Sequence, residues 1–170
     1  MTDTTQANAP ASSFDADVFM NTTVDEPMAT ALQSVPDGEY VAMIGDFTSE
    51  AFKTLTYPDR KTGEEIKRQV LEIPFVIDDD ALKATLGRET VVHRETFWLD
   101  FDANGKLDTG PDKNVSLGKL RDCLGQNGNG PWAPAHLRNM GPLRIKIVTR
   151  TDKRDADKKY TNITKYAPIS

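Results

Sequence analysis

The sequence has one cysteine, two histidines and no apolar run approaching the roughly 20 residues that a membrane-crossing helix needs. Cys123 alone cannot close an intrachain disulfide, and such thiol usage points to a reducing compartment. A zinc site built on cysteine pairs is excluded, because only Cys123, His93 and His136 offer sulfur or nitrogen ligands. The first 38 residues contain no Lys or Arg, and MTDTTQANAPASS has no apolar block, so no secretory signal is expected there. Catalytic spacings are missing too. Ser49, Ser116 and the histidines form no nucleophile elbow or metal-binding helix pattern, and no Gly-Lys-Ser/Thr is present. These gaps argue against an enzyme, a resident cofactor and an integral membrane protein.

What is present is a chain of 170 residues, enough for one domain with its own core. The net charge of -5 is unevenly distributed. Asp3, Asp15, Asp17, Asp25, Glu26 and Asp37 give the first 38 residues only acids. The last 33 residues hold nine bases against three acids. The chain therefore reads as an acidic arm over 1–35 joined to a domain over 36–170 with a basic end. Residues 1–13 have little to bury and are expected to be disordered. Phe14, Val18, Phe19, Met20, Val24, Met28 and Leu32 follow in a polar background, with one helical turn expected near Phe14–Val18. They suit an arm that docks on its own body or on a neighbour; a plain tail is the other reading.

Pro36-Asp37-Gly38 is a turn signal that opens the domain. Alternation predicts a strand from Tyr40 to Ile44, continuing past a break at Gly45 to Phe52 or Leu55, then a loop over 57–63. A second strand is expected over 67–77, where Pro74 argues for an edge or a bulge. A short helix over 81–86 stops at Gly87. The third strand, 90–100, has apolar groups on both faces, so its buried side is ambiguous. A helix over 114–125 places Val115, Leu117, Leu120, Cys123 and Leu124 at helical spacing, and a shorter turn follows at 131–137. Strands four and five are expected over 143–150 and 160–166. Five antiparallel strands with a helical insertion between the third and fourth fit a mainly-β, OB-like barrel; a β-sandwich with a helical insertion is the alternative.

Three groups of residues could carry chemistry. Asp100 to Asp112 begins like a calcium loop, but its twelfth position is Pro111, and a hairpin turn is the plainer reading. Gly125, Gly128 and Gly130 follow a helix rather than a strand, which argues against a phosphate-binding loop. The third group is basic. Arg144, Lys146 and Arg150 alternate with Leu143, Ile145 and Ile147, and Lys158 and Lys159 follow in the next connection. Single-strand nucleic-acid binders combine such cations with aromatic faces that stack bases. Tyr57, Phe97, Trp98, Trp132, Tyr160 and Tyr166 are candidates, with Trp98 and Tyr160 favoured. The alternative is that these aromatics are core and the bases a solvated face.

The phrases FDADVF at 14–19, PDGEY at 36–40, WLDF at 98–101, LGKLRDCLG at 117–125, GPLRIKI at 141–147 and TNITKY at 161–166 together resemble small proteins of tailed bacteriophages, of single-stranded DNA-binding, OB-fold character. The resemblance implies a protein of the infected host's cytoplasm acting in replication or recombination. It also implies single-stranded DNA as partner, RNA being the alternative, together with phage replication or recombination proteins and self-association. It supports 143–150 and 162–166 as barrel strands. Phage single-strand binders usually carry acids at the C-terminus, whereas here they lie at the N-terminus. A virion structural or interaction module that docks through the arm is the competing expectation.

Overall fold

The computed structural model describes residues 15–169, so the disorder expected over 1–13 and the placement of Phe14 lie outside the described residues. The chain separates into two units between Leu32 and Gln33. In the first, α1 (Ala16–Met20) is one short helix. Asp15 caps it by accepting from the Asp17 and Val18 N–H groups. Val18, Met20, Val24, Met28 and Leu32 are all exposed.

The second unit holds β1 (Gly38–Ile44), β2 (Phe52–Pro58), β3 (Glu65–Ile77), α2 (Asp80–Leu86), β4 (Val91–Trp98), α3 (Val115–Cys123), β5 (Leu143–Thr151) and β6 (Lys159–Pro168). All the pairings are antiparallel, in the order β4–β3–β1–β5–β6, with β2 lying beyond β1 along the same side of β3. The fold is mainly β, and the described residues form six strands rather than five. The break at Gly45 is a true interruption: a single 3-10 turn, Ser49–Ala51, redirects the chain, and β2 starts afresh. Tyr57 and Pro58, expected in a loop, end β2; the hairpin turn is closed by Asp59 N–H donating to Glu64 O and Gly63 N–H to Asp59 O.

The same interruption explains Pro74. Expected at an edge or bulge, it sits inside β3, three residues before its end and opposite Arg94 of β4. Its carbonyl accepts from Gly45 N–H, so its hydrogen-bonding side faces the gap between β1, which ends opposite Phe75, and β2, which starts opposite Leu71. A proline lacks the donor a ladder needs, and here the ladder is absent where the donor would point.

Strand alternation sets the core. Leu71, Ile73, Phe75 and Ile77 of β3, Leu143, Ile145 and Ile147 of β5 and Ala42 and Ile44 of β1 are buried together, with Leu117 and Leu120 of α3 against them. Full burial of one such side chain stabilises by about 1.5–3 kcal/mol. The helix expected at 81–86 is α2, capped by Asp79 accepting from Leu82 N–H and ended by Gly87 at φ +64°.

The sheet is open. Its outer strands, β4 and β6, share no ladder among the described residues, so the closed barrel is not formed by backbone pairing. A side chain joins them instead. The inward face of β4 is Val91, His93, Glu95 and Phe97. The Glu95 carboxylate accepts from Ile163 N–H of β6 at 2.9 Å and from Asn162 Nδ2 at 3.4 Å. His93 Nε2 lies 2.7 Å from the same Glu95 Oε2. A buried backbone N–H needs an acceptor, and a carboxylate supplies a charge-assisted one.

Candidate nucleic-acid interface

β5 presents Arg144, Lys146 and Arg150 outward because Leu143, Ile145 and Ile147 must face the core. Register then gathers charge across strands. Lys146 lies directly opposite Lys165 of β6, next to a bulge that skips Thr164. On its other side it lies opposite Glu39 of β1. Arg144, Lys146, Arg150, Lys158, Lys159 and Lys165 enter none of the ion pairs among the described residues. Like charges directly opposite across a pair of strands are destabilising on their own, and Glu39, opposite Lys146 on its other side, is the acid placed to offset them.

At the far end of the hairpin, Arg150 pairs with Tyr160, and Lys159 with Thr151. The Tyr160 ring is 50% exposed, and its hydroxyl donates to Asp152 Oδ2 at 3.2 Å. That bond, above all, raises the Tyr160 hydroxyl above its ordinary value. Asp152 is held below the usual carboxylate range, chiefly by the Arg154 N–H at 2.7 Å and also by Tyr160 and the positive charge of Arg60. Arg60 belongs to the β2–β3 turn. The tips of two hairpins, β2–β3 and β5–β6, therefore lie near enough for charge on one to act on the other.

Trp98 lies at the C-terminal end of β4, opposite Val70 of β3, and is 46% exposed. Arg68 sits over its ring at 5.4 Å from the centroid, and Tyr57 meets it edge-on at 6.2 Å. Arg68 is fixed in turn by Asp100 Oδ1 at 3.3 Å and Leu99 O at 3.4 Å. This is a rigid aromatic platform with a cation beside it.

Of the predicted residues, Arg150, Lys158, Lys159 and Tyr160 come together at one hairpin; Arg144 and Lys146 lie further along the face that Arg150 and Tyr160 share, whereas Lys159, opposite Thr151, is on the other face. Trp98 stands apart, separated from β5 by β3 and β1. Its companion Tyr57 is one of the stacking candidates; Arg68 beside it, and Lys165 and Arg60 elsewhere, join the surface although residue order alone does not mark them as site residues. Alternation puts Arg68 and Trp98 outward, but only the β3–β4 register puts them in contact. Two aromatic candidates are not free to stack: Phe97 is buried, and Tyr166 packs on Phe75 and Phe97 at 5.9 and 6.3 Å. Trp132 is half-buried and carries Arg121 over its ring.

The Asp100–Asp108 segment is a turn closed by a Phe101–Leu107 bridge. Its carboxylates are engaged locally: Asp102 accepts from Asn104 and Lys106 N–H, Asp108 from Gly110 N–H and Asp100 from Asn114 N–H. No group of three or more His, Cys, Asp or Glu among the described residues is placed to hold a metal. No helix there is long and apolar enough to cross a membrane. Comparison with protein-family models, curated proteins and solved structures returns no match.

Proposed function

We propose that this protein binds single-stranded DNA without catalysing a reaction, using an OB-like sheet. The observation that carries the reading is the outward row of cations on β5 and β6, none of it neutralised by an ion pair among the described residues. Arg144, Lys146, Arg150, Lys158 and Lys159, with Lys165, contact phosphates; Trp98 and Tyr160 stack bases. If β1 and β2 count as one interrupted strand, five strands with α3 between the third and fourth follow the OB order. Glu95 then bridges the strands that a closed barrel would pair. The β3–β4 face with Trp98 and the two hairpin tips near Arg60 and Tyr160 is where that fold binds oligonucleotides.

The setting is the cytoplasm of an infected bacterium, in phage replication or recombination, as the sequence resemblance implies. The acidic arm serves partner proteins or self-association. Titration of a fluorescently labelled oligonucleotide at low salt tests the reading. Binding that weakens steeply with salt is expected. Absence of binding at micromolar protein, or binding indifferent to salt, overturns it. An RNA oligonucleotide of the same sequence, run beside the DNA, reads the preference.

The second reading, a virion structural or interaction module, draws on the exposed Val18, Met20, Val24, Met28 and Leu32 of the arm. Mass spectrometry of purified particles, with and without residues 1–35, separates it from the first.

A further inference from the structure

A second basic concavity lies away from the outward face of the sheet. It is an open groove of about 1010 Å³ between α3, the 106–113 segment and the glycine-rich 127–130 loop. Lys106 and Lys113 from the 106–113 segment and Arg121 from α3 line it, with Asp108 as the one acid among its lining residues. None of these three cations is in an ion pair among the described residues. Asp108 Oδ1 already accepts from Gly110 N–H at 2.9 Å.

One wall of the groove is a built aromatic platform. Trp132 Nε1 donates to Gln126 Oε1 at 2.9 Å, and Arg121 lies 4.2 Å from the ring centroid. Arg121 donates from one terminal nitrogen to Gln126 O at 3.0 Å, so Gln126 fixes both groups. Arg121 Nε is buried and has no hydrogen-bond partner. A buried donor without an acceptor is costly and calls for an explanation.

Gly118 adds an independent sign. It sits inside α3 and lines the groove, and a Cβ built there would meet nothing within 4 Å. Packing does not require this glycine, although glycine in a helix interior weakens the helix. Its absent side chain leaves the groove floor open.

We propose that this groove binds a nucleoside phosphate, either free or as one nucleotide of a strand. The phosphate lies among Lys106, Lys113 and Arg121. The base lies along the Trp132–Arg121 wall. Volume, charge and a flat aromatic surface are what such a ligand needs. This inference does not depend on the β5–β6 surface and survives its failure.

The test uses the full chain and 2′-deoxyadenosine 5′-monophosphate, followed by calorimetry and by the Trp132 indole N–H signal in NMR. Saturable binding that shifts this signal is expected, with deoxyadenosine and inorganic phosphate each weaker. Lys113→Glu should weaken binding about tenfold. Gly118→Glu, which improves helix propensity while filling the groove with negative charge, should abolish it; Gly118→Ala should keep it. Thermal melting of each variant reports its folding. Competition by a 5′-phosphorylated oligonucleotide, lost in Lys113→Glu, identifies a strand as the source; its absence identifies the free nucleotide. A Trp132 signal that does not respond, or binding that Gly118→Glu leaves intact in a folded protein, overturns the proposal.

Discussion

The β4 and β5 flanks of the sheet divide polar and apolar groups in opposite ways. On β5 the inside is aliphatic, Leu143, Ile145 and Ile147, and the outside is cationic. On β4 the inside includes His93 and Glu95, and the outside ends in Trp98. One strand therefore follows the ordinary inside-out rule and the other breaks it at two positions. The difference teaches where each kind of job sits. β5 uses its inner face for packing and its outer face for charge. β4 is an outer strand with no backbone partner on one side among the described residues, and a buried carboxylate holds it to β6.

The largest effect on this contrast should come from Glu95. Glu95→Ala strips the acceptor from Ile163 N–H and leaves His93 without its partner, a loss of about 1–3 kcal/mol for each buried group left unsatisfied. Glu95→Gln keeps an acceptor oxygen and should cost less. Urea unfolding measures both. If Glu95→Ala unfolds within about 1 kcal/mol of the parent, the carboxylate is not what joins β4 to β6.

The next two effects sharpen the contrast on the outer faces. Charge reversal of Arg144 and Lys146 together should weaken oligonucleotide binding about a hundredfold at low salt, and alike for all sequences. It should also reduce the salt slope by roughly 0.7 for each phosphate that the protein then fails to neutralise. Trp98→Ala should cost about 1–2 kcal/mol in binding and leave that slope unchanged, because stacking releases no counterions. If Trp98→Ala flattens the slope as much as the charge reversal does, the two flanks do not divide the work.

The same contrast marks what can be read from residue order. On β5 the alternation is clean, and both its span and its outward bases follow from it. The two helices that pack or cap the domain, α2 and α3, are also legible, since each carries an apolar spacing with Gly87 or Gly125 at its end. On β4 both faces hold apolar groups, so residue pattern cannot choose between them; only contact with Ile163, 68 residues away, shows why Glu95 is inside. Gly45 signals the split of the first strand, but the gap that opens beside Pro74 is a property of pairing. Likewise, Arg68 over Trp98 and Lys146 opposite Lys165 depend on register between strands, and one of them on a bulge. Pairing of that kind is set by tertiary packing and leaves no local trace.

The smallest effect at neutral pH, and a distinct one at high pH, belongs to Tyr166, where β6 meets the inner face of β4. Its ring packs between Phe75 and Phe97, and its hydroxyl is pushed far above the ordinary value, first by burial and then by the Glu95 carboxylate. Below about pH 10 the hydroxyl is protonated in both folded and unfolded chains, and its contribution to stability is fully present. As pH rises further, the unfolded chain releases the proton while the folded one holds it, so unfolding gains ground and stability falls. Tyr166→Phe removes that proton. It should alter stability by about 1 kcal/mol or less near neutrality and make the alkaline decline shallower. A residual slope remains from Tyr40, whose hydroxyl is raised mainly by burial, and from Tyr160, raised mainly by its bond to Asp152. Chemical denaturation across the alkaline range reads the difference; an identical decline in parent and variant would mean that the Tyr166 hydroxyl is not sealed between β4 and β6.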